Sequence, residues 1–432
     1  MIAGLRSLWR TIQASYWFYP ALFTLAALLL AYGTIWIDRI GVAETLERLG
    51  FLAPPSPEGA RSLLALIAAS MIGIAATIFS ITIAAVAYAS GTYGPRILTN
   101  FMEDRGNQLS LGIFIATFVY SLMLLRVVRS ETEQAVSPIA AGAPSVQAFV
   151  PQLSLLVVFG LTLVSIAALV FLLNHIPASI RINSVIERIG RRLLSDLERR
   201  FPDPGVREPD RPAFDGQSVF APAPGYIRIV DFDALNRFAA KKGGRIALAR
   251  RPGDFVHPVV PLLEWDGVAL DDEGQGELRN CFAIGGHRTA EQDPDYLIDE
   301  LVEIALRALS PGINDPFTAI TALDWLGAAT AELAQRNLDE GPEGTGHGSD
   351  RIWPLPDGFD HYLQRGLGTA MPTVARNDVA VVHFCRILKG LLPAAASQAR
   401  HKAILEMKDA ILTHAQASLD PTTYRRVESL AS

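Results

Sequence analysis

The stretch SLLALIAASMIGIAATIFSITIAAVAYASGTYGPR, residues 62–96, carries no charge between Arg61 and Arg96. A bilayer core takes about 20 mostly apolar residues to cross as a helix. This run is long enough to cross and then project beyond the membrane as one helix. Composition agrees with that reading, since 50% of the 432 residues are hydrophobic and 19% charged, below the roughly 25% charged of soluble domains.

Working outward, three further apolar runs reach membrane length, giving spans at about 17–37, 63–93, 108–125 and 153–175. Trp17, Tyr19 and Trp36 sit where interfacial aromatics belong. The first run is too long for a signal-peptide core and is expected to be retained. Arginines then set the orientation. Arg6, Arg10, Arg96, Arg105, Arg181, Arg188, Arg191, Arg192, Arg199 and Arg200 lie on one side, against Arg39, Arg48, Arg61, Arg126 and Arg129 on the other. Ten against five places both termini in the cytoplasm of a bacterial inner-membrane protein.

After the fourth span the helix is expected to continue, with Ile182, Val185, Ile186, Ile189, Leu193 and Leu197 forming one apolar stripe. This juxtamembrane helix either packs on the cytoplasmic region as a stalk, lies on the anionic leaflet or pairs with a second subunit. The proline-rich FPDPGVREPDRPAFDGQS, residues 201–218, reads as a linker. Residues 219–290 then read as a small β domain, with GYIRIVD, RIALARRPGDFVHPVVPLLEW and LRNCFAIG as strand segments around the short helix DFDALNRFAAKKG. Arg251-Pro252-Gly253-Asp254-Phe255-Val256, followed by Pro261-Leu262, resembles the turn of barrel-sandwich carrier domains. Gly253 and Asp254 would make the turn, and Phe255 and Val256 would enter the core. The carriers' attachment lysine is missing, so the shape is kept and swinging-arm chemistry set aside.

Residues 291–432 read as helical. They are interrupted by a glycine-rich exposed loop at 336–358 and by a corner, Ser310-Pro311-Gly312-Ile313-Asn314-Asp315-Pro316. A residue before proline is driven out of helical geometry, so Ser310 and Asp315 are expected to be extended, with Gly312 at positive φ. Asp315 suits an N-cap and Pro316 the first helical position. The fold class is therefore a membrane domain of four transmembrane helices at 1–176, a juxtamembrane helix and linker at 177–218, and a cytoplasmic α+β region made of a barrel-sandwich-like β module and a helical module.

SITIAAVAYASGTYGPRILTNFMEDRGNQLSLGIFIATFVYSLMLLR (80–126), FAIG (282–285) and ALRALSPGINDPFTAITALDWLG (305–327) together resemble the DUF2254 family of bacterial predicted membrane proteins. The resemblance covers nearly the whole chain. It implies an inner-membrane protein with a cytoplasmic tail and supplies no activity, ligand or catalytic residue.

The chemistry therefore has to come from the residues. No His pair has metal-ligand spacing, and no Walker A loop, GxSxG elbow or GxGxxG turn is present. A common enzyme class, a cofactor and a nucleic-acid partner are not expected. Asp271-Asp272-Glu273-Gly274 reads as a solvated turn, His383 as a core histidine, and Cys281 and Cys385 as buried thiols. In the second span Ala69, Gly73, Ala76, Ser80 and Ala84 make a small-residue stripe for close helix packing. Thr77, Ser80, Thr82 and Ser90 are candidates for a polar path, with Arg96 at its mouth and Glu103, Asp104 and Arg105 as ion-pair partners nearby. Asn174 and His175 lie at the interface. The corner Ser310, Pro311, Gly312, Asn314, Asp315 and Pro316 is either architecture or a recognition site, because a helix start offers free N–H groups. Two functions remain open: a self-associating channel or transport protein gated by its cytoplasmic domain, and a membrane-anchored scaffold or ligand sensor.

Overall fold

The computed structural model describes residues 15–40, 56–94, 104–128, 149–206, 214–338, 351–355 and 358–431. The chain forms two compact units, one from the described parts of Ile12–Ser90 and Leu98–Ile180, the other from those of Gly91–Ile97 and Arg181–Ser432.

Helices α1 (Phe18–Arg39), α2 (Pro57–Tyr93), α3 (Arg105–Val127) and α4 (Gln152–Ile180) are each long and apolar enough to cross a membrane. Two apolar clusters hold them, one around Ala31, Leu64, Tyr120 and Val158, the other around Met71, Phe114 and Leu172. Several polar side chains inside pair across helices, as a membrane interior favours. Thr34 Oγ1 meets Tyr120 Oη at 2.8 Å, and Thr117 Oγ1 meets Ser165 Oγ at 3.0 Å. The closest glycine approach in this unit is not on α2. A Cβ on Gly112 of α3 would lie 2.6 Å from the Phe23 ring of α1, whereas Gly73 of α2 has nothing within 4 Å.

The expected continuation beyond the fourth span is broken. Arg181 is extended, at φ −60° and ψ 124°, and α5 (Ile182–Arg200) restarts after it. Its carbonyl then accepts from Ser184 and Val185, so the break opens a new first turn rather than bending an old helix. The apolar stripe of α5 packs as a stalk: Val185, Ile186, Ile189, Leu193 and Leu197 are buried, and a Cβ on Gly190 would lie 2.3 Å from the Trp325 ring.

The β module holds β1 (Gln217–Phe220), β2 (Gly225–Val230), α6 (Phe232–Lys242), β3 (Arg245–Leu248), β4 (Phe255–Val256), β5 (Pro261–Asp266), α7 (Asp272–Arg279) and β6 (Phe282–Gly285). Strands β1, β5 and β3 are antiparallel neighbours in one sheet, and β4, β2 and β6 in another. Both sheets face one core containing Val219, Ile227, Leu248, Val256 and Trp265. Gly253 makes the expected turn at φ +96°. Val256 enters the core, but Phe255 is exposed and packs edge-on against Tyr226, because successive strand residues face opposite sides.

α8 (Pro294–Ala308) and α9 (Pro316–Gln335) flank the corner. Asp315 caps α9 through Thr318 N and Thr318 Oγ1, at 3.1 and 2.6 Å, and these bonds lower its pKa. The left-handed residue is Asn314, at φ +48°, not Gly312. The Asp315 N–H reaches back to Ala308 O at 2.7 Å, which forces the reversal onto the residue before it. Asn tolerates that region better than other side chains. The loop expected at 336–358 is anchored at both ends. Asn337 and Leu338 are buried, and β7 (Ile352–Trp353) adds to β3 in parallel; residues 339–350 lie outside the described residues. A two-residue strand paired across a hundred positions leaves no local periodicity to read. The chain closes with α10 (Phe359–Leu363), a π-helical turn at Gln364–Gly368, α11 (Thr369–Val374), α12 (Asp378–Leu391), α13 (Gln398–Ser418) and α14 (Pro421–Ala431).

Candidate functional site

Of the residues singled out in the second span, Thr77 and Ser80 face outward from the four-helix unit, and each hydroxyl donates to a carbonyl one turn back, at 2.9 Å. Thr82 points inward, Ser90 is half-buried, and Arg96 and Glu103 lie outside the described residues. The structure does not bring the hydroxyls together on one face. It does join Asp104 and His175. Asp104 caps α3 through Gly106 N, and its carboxylate lies 2.9 Å from His175 Nε2, whose ring stacks on Phe171.

Other singled-out groups have structural duties. Asp271 caps α7 through Gly274 N at 2.9 Å. His383 is half-buried rather than in the core, 2.6 Å from Asp324, because α12 presents it at the edge of its contact with α9. Cys281 and Cys385 are free buried thiols, each pushed up to about 11 mainly by burial.

The most developed polar site was not anticipated. A cavity of about 240 Å³ opens where the Gly253 turn meets the start of α8, lined by Arg200, Tyr226, Arg251, Asp254, Arg288, Gln292, Asp293, Asp295 and Arg365. Its construction follows from local rules. Past β6, Gln292 pairs with the Val230 backbone, accepting from its N–H at 2.8 Å and donating to its carbonyl at 3.1 Å. This holds the loop against β2. Asp293 then caps α8, with Pro294 in the first turn. Asp295 and Asp299, four residues apart, share a face of α8. Arg365 comes from the π-helical turn and grips Asp299 with two bonds of 2.8 Å. Turns of this kind recur at functional sites. Arg288 bridges Asp293 and Asp299, each at 2.7 Å.

The electrostatics divide the two carboxylates on the cavity wall. Burial pushes Asp293 up to about 6, although Arg288 pulls the other way. Burial also opposes the charge on Asp295, but the His361 hydrogen bond at 2.8 Å and the Arg365 charge outweigh it and lower the pKa. Arg288 and Arg365 are held above their ordinary values, the carboxylates outweighing the cost of burial. Among the described residues, Asp295 Oδ1 is buried and has no hydrogen-bond partner. The cavity therefore offers guanidinium donors, one acceptor in need of a donor, and one carboxyl that changes charge near pH 6. The sequence signal was there in HRTAEQDPD, residues 287–295, but nothing local ties it to Arg365 or to the turn at 251–254.

Gly253 joins the two modules at this site. A Cβ there would lie 2.2 Å from Asp293 Oδ2, and the residue already occupies positive φ. Gly253→Val is expected to cost about 2–4 kcal/mol, combining backbone strain with overpacking. Thermal unfolding of the full chain in detergent measures this, and an unchanged midpoint would contradict it.

Comparison with known proteins places the chain. The model of the family described as "Predicted membrane protein (DUF2254)" matches residues 13–390, and the chain belongs to that family. An uncharacterised protein of Mycobacterium tuberculosis is 29% identical over 405 residues, covering 91% of this chain and 74% of the relative. One from Mycobacterium bovis matches with the same identity and coverage. No solved structure matches.

Proposed function

We propose that this member of the predicted-membrane-protein family is a membrane-anchored sensor of a small anionic ligand, held in the cavity between the Gly253 turn and α8. The observation that carries the reading is the wall of Arg200, Arg251, Arg288 and Arg365 beside the unpartnered Asp295 Oδ1. Arginine recognises carboxylate and phosphate groups, and the orphaned oxygen calls for a hydroxyl or amino donor on the same ligand. The volume sits below the about 300–1,000 Å³ of drug-sized sites, so a small metabolite fits the space. The arginine bias of the flanks supports an inner-membrane topology with both termini and the α+β region in the cytoplasm. Two sheets around one core, with the Gly253 turn, support the barrel-sandwich-like shape of the β module.

Glycerol 3-phosphate is the probe, added to the full chain in detergent while thermal unfolding is followed. A saturable rise in midpoint is expected, weakened at least about tenfold in apparent affinity by Arg251→Ala, a loss on the scale of one charge-assisted contact. Protonating Asp293 removes a negative charge from the wall, so affinity rises as pH falls through about 6. Asp293→Asn keeps only the pH dependence of the phosphate itself. No saturable shift at either pH 5.5 or pH 7.5 would overturn the reading.

Self-association is a second proposal, supported by the stripe Ala69, Gly73, Ala76, Ser80 and Ala84, which lies on the outward face of α2. Small residues let membrane helices approach closely. Because Thr77 and Ser80 already bond their own helix, the geometry favours a contact face over a pore lining.

A further inference from the structure

The helical group built from α5, α8 and α9 has two distinguishable ends. At one end, Arg200 Nη1 donates to Gln292 O at 2.9 Å, Arg336 Nη1 donates to Phe201 O at 2.7 Å, and Gly205 N donates to Gln335 O at 2.7 Å. Gly190 meets Trp325 midway. So α5 runs parallel to α9 and antiparallel to α8. The other end therefore gathers the start of α5, the finish of α8 and the corner at 310–316. It is also where the chain arrives, since Arg181 follows the last residue of α4 directly. A second entry coincides. Gly94, just past α2, lies so close to α8 that a Cβ there would be 2.7 Å from Glu303 Oε1, one turn before that helix finishes.

The corner at this end is apolar and exposed among the described residues. Phe317 is 72% exposed, and Ile313 is exposed beside it. α12 runs parallel to α9, as the Asp324–His383 and Gly327–Ile387 contacts require, which brings exposed Val379 to the same end. A lone exposed phenylalanine needs no explanation. Three apolar side chains at the end where two membrane-length helices hand over to this unit do. Arg181, exposed at the same end, adds a cation suited to an anionic leaflet. The cavity lies at the far end of α8, whose 15 residues span roughly 22 Å.

We propose that the Ser310–Phe317 corner is an interfacial membrane anchor, with Ile313 and Phe317 seated among lipid headgroups. The corner's turn chemistry serves this. The Ile313, Asn314 and Asp315 N–H groups donate to Ser310 O and Ala308 O, and Asp315 accepts from Thr318 N, so the apex presents Pro311, Ile313 and Phe317 with most of its backbone donors satisfied, which lowers the cost of interfacial burial. This inference is independent of the ligand reading.

The test uses the full chain in vesicles of phosphatidylcholine and phosphatidylglycerol, with Cys281→Ala and Cys385→Ala as background. Phe317→Cys, Ile313→Cys and Val268→Cys each carry an NBD fluorophore. Val268 is 78% exposed in the β module, which joins the opposite end of α8 through Gly253. The expected result is blue-shifted emission at 313 and 317, quenched several-fold more by headgroup-nitroxide lipid than at 268. Phe317 is 72% exposed, so its replacement leaves folding intact, and a thermal midpoint matching the background protein verifies that. Water-like emission at both corner positions would overturn the proposal. So would a blue shift without lipid quenching, which would mean that protein covers the corner instead.

Discussion

Asp38→Ala is expected to lower the stability of the four-helix unit by about 3 kcal/mol or more, the loss anticipated when several charge-assisted hydrogen bonds disappear together. Asp38 lies near the C-terminus of α1, where a negative charge opposes its own helix dipole. It is only 5% exposed and turned toward α4. Its Oδ1 accepts from Leu153 N at 3.0 Å, while Oδ2 accepts from Ser154 N at 3.0 Å and Ser154 Oγ at 2.6 Å. Asp38 thus performs for α4 the work of an N-cap, from another helix, because Pro151 before Gln152 offers no side-chain acceptor. Tyr120 Oη adds a bond to Ser154 O at 3.3 Å. Asp38→Asn retains one acceptor and should recover about half of the loss. Gel filtration of detergent-solubilised protein after stepwise heating measures both, and wild-type behaviour of the alanine variant would remove this role.

The second large effect is expected at Arg400. The side chain is 7% exposed, and its Nη1 donates to Leu333 O, Ala334 O and Arg336 O at 3.1, 3.0 and 2.9 Å. Those carbonyls end α9, where the helix dipole favours a cation. The guanidinium also lies 5.6 Å from the Phe359 ring centre. Arg400→Met preserves much of the stem but removes three charge-assisted bonds, leaving Ala334 O with only its bond from Ala396 N, at an expected cost of about 3 kcal/mol. Cys385 gives a local readout. Burial holds its thiol at about 11 and out of reach, so the variant should be alkylated faster under native conditions. Equal rates in variant and wild type would show that α9 and α13 do not depend on this residue.

Both residues expose the limit of local reading. Asp38 and Arg400 stand in the sequence as one acid near the end of an apolar run and one base in an amphipathic helix. Asp38 bonds Leu153 and Ser154, and Arg400 bonds the end of α9, each more than sixty positions away. The cavity shares the difficulty, since Arg200, Gly253, Asp293 and Arg365 come from four separate segments. At the corner, by contrast, the Asp315 cap and Pro316 start were legible because capping is a contact of three residues. The positive φ was misplaced by two residues because a carbonyl seven positions back, Ala308 O, decides where the chain reverses.

The sequence by itself determined the four membrane-length helices, the α+β region after them, the stalk stripe of α5, the Gly253 turn and the Asp315 cap. Each rests on periodicity, length or a bond spanning a few residues, and those are properties of the local chain. Only the tertiary structure decided which way the α2 stripe faces, that Phe255 stays outside while Val256 packs, that Asp38 caps α4, and that arginines from distant segments share one cavity wall. Those outcomes depend on side chains meeting across roughly a hundred residues, where packing and burial select the partners and no local pattern records the choice.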